Sequence, residues 1–158
     1  IWLAQAAQAH DTVVFAVDHH RGSEEHQPGE SHHDETLVDA SGQFDSFAEF
    51  RRNIAAAGLD SPVIPIVSAS ADLAPHWRGG LGMVFIDGGH SLDAALTDYR
   101  AWAPQLSPGG ILAIHDVFPD PSQGGQAPFT IWQLANQSGL FEPLGTLDTL
   151  RGLKRVTP

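Results

Sequence analysis

Apolar positions along the chain fall into two alternating periods. Thr12–Val17 (TVVFAV) is a β-branched apolar run flanked by Asp11 and Asp18, and it predicts a buried strand. Val63–Val67 (VIPIV), Leu81–Asp87 and Gly110–His115 repeat that signature. Between these runs the period lengthens. Phe47, Phe50 and Ile54 recur at helical spacing within Ser46–Ala57, and Gly58 stops that helix. Leu92, Ala95, Leu96, Tyr99 and Trp102 form the core stripe of a helix from Ser91 to about Leu106. Ser70 is placed to cap a short helix through about Trp77, and Phe129–Ser138 predicts another. Ile1–Ala9 reads as a helix already under way, with no capping residue before it. Phe141–Leu147 and Leu150–Val156 predict two closing strands around a turn.

Strands and helices in this alternation imply an α/β fold, a Rossmann-like, doubly wound and mostly parallel sheet with right-handed crossovers. The last two strands have no helix between them, so an antiparallel hairpin at one edge is expected. From His19 to about Asp45 the chain is polar and without sustained periodicity. A loop of that length in a compact domain is functional or disordered.

Composition narrows the class. A chain of 158 residues is one ordinary domain with room for a sizeable core. Its net charge is -11 with only 8 Lys+Arg, so it lacks the cationic footprint of a nucleic-acid binder and has no polybasic segment for a membrane surface. No apolar run approaches the ~18 residues of a membrane span. Cysteine is absent, which removes disulfides and thiolate chemistry and suits a cytoplasmic location. The expected partner is a small molecule, neutral or met through a metal. A homodimer is among the expected assemblies.

The candidate chemistry sits at strand ends. Met83–His90 (MVFIDGGH) and Pro108–Asp116 (PGGILAIHD) are apolar runs that each finish in ionisable residues. Open parallel sheets bind ligands outside the carboxyl ends of their strands. Neighbouring strands would therefore bring Asp87, His90, His115 and Asp116 to one rim, enough for an oxygen/nitrogen divalent-metal site with a base beside it. Asp also ends strands simply because it favours turns. Asp18 ends the first visible strand. An acidic residue there, after the second strand of a Rossmann-type sheet, accepts hydrogen bonds from both hydroxyls of a ribose. The Gly-rich turn that should precede it is not in this sequence. The expectation is a chain that lacks its first strand and that turn and supplies the other six strands of seven.

Taken in order, strand-Asp18, strand-Ser68-Ala69-Ser70, strand-Asp87-Gly88-Gly89-His90, strand-His115-Asp116 and closing hairpin resemble the class I S-adenosylmethionine-dependent methyltransferases. The branch it is most similar to is the small-molecule O-methyltransferases with "IDGGH" and "HD" signatures. The resemblance covers essentially the whole chain except the long loop. It implies a single methyltransferase domain over residues 1–158, S-adenosylmethionine as cofactor, and a divalent metal: Mg²⁺, with Mn²⁺ or Zn²⁺ as alternatives. Asp18 would hold the cofactor ribose, Ser70 would sit at the adenine with Ser68 and Ala69 shaping the wall, and Asp87 would lie on the cofactor side as well. Asp87, His115 and Asp116 match the family's metal-binding positions. The usual trio there is two carboxylates and an amide, whereas this chain offers two carboxylates and an imidazole, a donor better suited to Zn²⁺, Mn²⁺ or Fe²⁺. Asp116 ligating with His115 turned away is the other arrangement. His90 stands where the family has its catalytic lysine, and a neutral imidazole suits a general base near neutral pH.

Within the long loop, Arg21, Glu24 and Glu25 are the candidates for contacting a polyhydroxylated acceptor, a sugar or oligosaccharide. The segment resembles loops of actinobacterial sugar O-methyltransferases, including the methylmannose type. The loop carries five of the nine histidines, which would also suit a second metal site, although the spacing is not that of a closed zinc site. Val117–Pro128 reads as a structured turn bordering the acceptor pocket. Two other classes stay open on the sequence: an NAD(P)-dependent oxidoreductase, which Asp18 alone would suit, and a non-catalytic His-rich metal-binding protein.

Overall fold

Where apolar runs meet β-branched residues the strands form as the pattern predicts. A computed structural model of the chain describes residues 1–30 and 33–156, and among these it contains six strands and five α-helices. Two compact units divide the chain at residue 69.

The first unit runs α1 (Trp2–Ala9), β1 (Val14–Asp18), α2 (Phe47–Ala56) and β2 (Val63–Val67). β1 and β2 pair in parallel, with Val14 opposite Val63 and Asp18 opposite Val67. Ala4, Ile54, Leu59 and Val63 make the unit's core, and Ala16 and Phe50 pack against it. The helix stripe predicted for Phe50 and Ile54 is therefore the face that meets the strands. Gly58 adopts a φ of +68°, a left-handed turn that a side chain would resist, and it ends α2.

The long loop has its own hydrogen-bonded structure. It contains short 3₁₀ turns at Glu24–His26 and Glu35–Leu37 and a bridge between Val38 and Phe44. Asp39 organises the far end: its Oδ1 accepts from Ser41 Oγ (2.6 Å), Ser41 N (2.8 Å) and Gln43 N (3.1 Å), and its Oδ2 accepts from Arg21 Nη1 (2.9 Å). These donors, the Ser41 hydroxyl first, hold the Asp39 carboxyl far below the usual carboxylate range. One loop histidine belongs to the core rather than the surface. His20 is buried, its Nδ1 lies 2.9 Å from Ser46 Oγ, and its ring rests against Phe47 and Phe50. His32, another of the five, lies outside the described residues.

The second unit runs α3 (Ser70–Leu73), β3 (Leu81–Ile86), α4 (Leu92–Trp102), β4 (Leu106–Ile114), α5 (Ala127–Gln137), β5 (Phe141–Leu147) and β6 (Leu150–Arg155). Its four strands lie in the order β3-β4-β6-β5. β3 and β4 are parallel, and β6 is antiparallel to both β4 and β5, so the closing hairpin sits at the edge as expected. β4 is paired on both sides, and Leu112, Ala113 and Ile114 are all buried. That explains its unbroken apolar run. β3 instead alternates, with Val84 and Ile86 buried and Met83 and Phe85 exposed. β4 also starts at Leu106, four residues ahead of the predicted Gly110, because Leu106 pairs with Leu81 across a register shift. Ile131 and Ala135 of α5 and Leu153 of β6 complete the core at zero exposure. Full burial of a side chain such as Leu112 or Ile131 contributes about 1.5–3 kcal/mol.

Candidate active site

The register of the parallel pair builds the site. Ile86 stands opposite Ile114, so the residues that follow, Asp87 and His115, emerge side by side at the carboxyl ends of β3 and β4. The His115 amide still donates to Ile86 O at 3.0 Å, which prolongs the ladder by one bond. Two residues on, the Val117 amide donates to Thr149 O in the β5–β6 turn at 2.9 Å. Asp116 is caught between these two anchors with a φ of +53°, in the left-handed region. Asp tolerates that region better than most side chains, whose cost there is about 1–2 kcal/mol.

The four predicted rim residues come together. His115 Nδ1 lies 3.0 Å from Asp87 Oδ1 and 3.2 Å from Asp116 Oδ1. His90 Nε2 lies 3.2 Å from Asp116 Oδ2. The result is an unbroken chain of close imidazole–carboxylate contacts, His90–Asp116–His115–Asp87. One ligand atom each from Asp87, His115 and Asp116 fall within 4.8 Å of one another. Two carboxylates and an imidazole at that separation are a donor set that fits a divalent cation. His115 Nδ1 faces both carboxylates, so a cation held there would be met by all three donors at once.

Beneath the rim is a cleft with an apolar floor of Ile86, Ile114, Ile131, Pro128 and Ala95, and the polar edge is Asp87, Gly88, Gly89, His90 and His115. Ser91 opens α4 immediately after His90, and its Oγ accepts from Ala94 N at 3.3 Å. The turn Asp87–His90 is thus fixed at one end by the sheet and at the other by a helix cap. Across the cleft, Gln126 Nε2 donates to Phe118 O (3.0 Å) and Gly124 O (3.2 Å), which closes the Val117–Pro128 segment into an ordered turn.

The remaining predicted residues have individual placements. Asp18 is exposed at the end of β1, where its Oδ1 accepts from His20 N at 2.8 Å and its carbonyl accepts from Ser68 N at 3.2 Å. Ser68 Oγ donates to Ala69 O at 3.2 Å. Ser70 Oγ accepts from Trp102 Nε1 at 3.0 Å, so its hydroxyl ties α3 to α4. Arg21 is drawn to Asp39 (2.9 Å) and Asp45 (3.5 Å), within the loop. Ser23 Oγ donates to Glu25 Oε1 at 3.2 Å, while Glu24 begins the first 3₁₀ turn.

Sequence reasoning missed Asp98. It stands on α4 with its carboxylate against Gly88: a Cβ added at Gly88 would come within 2.5 Å of Asp98 Oδ2. The signal was present. Ala95, Asp98 and Trp102 share one helix face at i, i+3 and i+7, and an acid between two buried residues on such a face has a reason to be there.

A family profile described as "Methyltransferase domain" matches residues 1–117. The chain belongs to that methyltransferase-domain family. Solved structures agree on the fold. The O-methyltransferase NovP is similar at a TM-score of 0.70 and 18% identity, over 98% of this chain and 66% of NovP. TomG from Streptomyces achromogenes, an O-methyltransferase involved in tomaymycin synthesis and solved with SAM, gives a TM-score of 0.58 and 18% identity over 99% of this chain and 67% of its own. An rRNA methylase from Streptococcus thermophilus gives 0.54 and 15%, covering 99% of this chain and 93% of its own. The chain therefore spans about two thirds of the length of NovP and TomG.

Proposed function

We propose that the protein is an S-adenosylmethionine-dependent O-methyltransferase in which the Asp87/His90/His115/Asp116 rim prepares the acceptor hydroxyl with the help of a divalent metal. The observation that carries this reading is the convergence of Asp87, His115 and Asp116 within 4.8 Å, with His90 bonded to the same cluster. Asp18, at the end of β1, is the residue proposed for the cofactor ribose. Asp87, His115 and Asp116 would hold the metal, and Mn²⁺ or Zn²⁺ suits the imidazole as well as Mg²⁺ suits the carboxylates. Such a cation, when bound, lowers the pKa of a hydroxyl beside it.

The side chains do the rest. Asp116 Oδ2 stands beside His90 Nε2, so a proton carried on Nε2 would leave the ring's basic lone pair on Nδ1. Nδ1 then takes the acceptor proton. Methyl transfer from a sulfonium is an in-line displacement, so alignment supplies much of the rate. The apolar floor keeps bulk water from the reacting oxygen, and the polar edge orients it. The acceptor proposed is a small polar alcohol, a sugar or oligosaccharide, contacted by Arg21, Glu24 and Glu25. The charge of -11 argues against an RNA acceptor even though an rRNA methylase shares the fold.

The test is methyl transfer from labelled S-adenosylmethionine to a panel of sugars, catechols and RNA, each with and without EDTA. Transfer to a sugar hydroxyl that EDTA abolishes is the expected result. Transfer to RNA, or transfer indifferent to EDTA, overturns the acceptor or the metal respectively.

A further inference from the structure

The geometry points to Asp98 as a positioning residue of the rim, one that seats the Asp87–Gly88–Gly89–His90 turn and so sets where His90 and Asp87 present their side chains. This rests on the proposed role of that rim in methyl transfer. The turn is anchored by β3 before it and by the Ser91 cap after it, and the Asp98 carboxylate approaches its middle at Gly88. That carboxylate lies so close to Gly88 that no Cβ fits between them, at 2.5 Å from the nearest oxygen. Gly88 itself has no left-handed φ, so what a Cβ there would meet is the Asp98 carboxylate, which would have to move. Asp98 also projects from the helix face of Ala95 and Trp102, both buried, so the carboxylate is held by a packed helix rather than a mobile chain.

The contact has a consequence for substitution at either partner. An Ala at 88 must push the short Asp98 side chain aside, whereas an Ala at 98 removes it. Both changes unseat the same turn, so their effects should not add.

The experiment is a double-mutant cycle of Gly88→Ala and Asp98→Ala with Asp98→Asn as the conservative variant, read two ways that need no acceptor. The first is Mn²⁺ affinity by calorimetry. The second is the His90 imidazole resonances by NMR at fixed pH, assigned with His90→Gln. Each single variant is expected to weaken Mn²⁺ by about tenfold and to move the His90 signals. The double variant should lose no more than either single, and Asp98→Asn should stay within about threefold of the parent. Unchanged His90 signals in Asp98→Ala, or losses that multiply in the double variant, overturn the proposal. If Asp98→Ala fails to fold, Gly88→Ala and Asp98→Asn decide it: His90 signals unmoved in Gly88→Ala overturn it. Parent protein that binds no Mn²⁺ counts against the metal reading, while the His90 signals still test Asp98.

Discussion

His90 Nε2 and Asp116 Oδ2 lie 3.2 Å apart, although 25 residues and one helix separate them in the chain. A carboxylate that close to an imidazole nitrogen favours one tautomer and orientation, as a general base needs.

His90→Ala should therefore lower turnover by roughly 10²–10⁴, the usual worth of a positioned acid–base group, and leave S-adenosylmethionine affinity near the parent's. Steady-state rates alongside calorimetric titration separate the two effects. An equal fall in both would assign His90 to cofactor binding instead.

Asp116 occupies a left-handed backbone position, so its variants should divide by side chain. Asp116→Asn keeps a residue at home there, and Asp116→Ala adds strain of about 1–2 kcal/mol. The Ala variant should melt about 2–8 °C below the Asn variant in a thermal scan, while both lose metal affinity. Equal melting temperatures would show that the two backbone anchors do not enforce the conformation.

Chelation should abolish methyl transfer and spare cofactor binding, because Asp18 is not a metal candidate. Adding back Mn²⁺ or Zn²⁺ should restore more activity than Mg²⁺ if the imidazole of His115 ligates directly. Asp18→Ala should do the reverse and weaken S-adenosylmethionine by on the order of 2–3 kcal/mol, two hydrogen bonds to a ribose. Cofactor affinity unchanged in Asp18→Ala refutes that role.

Asp39 makes the loop acid-sensitive. Its folded pKa is depressed by Ser41, Gln43 and Arg21, so its stabilising effect is complete above the unfolded value, about 3.9, and is lost as pH falls below that toward the folded pKa. Hydrogen exchange of the Gln43 amide should be protected at pH 6 and less so near pH 3, after correction for intrinsic rates. Asp39→Ala should remove the protection at both.

Strand ends were the legible part of the site. Asp87 and His115 are adjacent because Ile86 and Ile114 share a register, and a parallel pair with that spacing leaves little choice. Contacts between distant segments were not legible. Ser70 presents its hydroxyl to Trp102, 32 residues away, and nothing local in either segment signals it. His20 looked like one of many loop histidines until Phe47 and Phe50 closed around it. β4 reached back to Leu106, which pairs with Leu81, while Pro108 and Gly109 lie in the irregular stretch between the paired positions, Gly109 with a φ of +79°.

β4 carries a further implication for how the protein fails. Leu112, Ala113 and Ile114 are the most enclosed stretch of their sheet and run directly into His115 and Asp116. Segments of that kind open only with the whole domain, unlike loops and edges, which fray alone. Heat should then leave no intermediate regime in which the protein is folded but its rim is lost. Loss of metal binding at the rim and melting of the second unit should follow one curve.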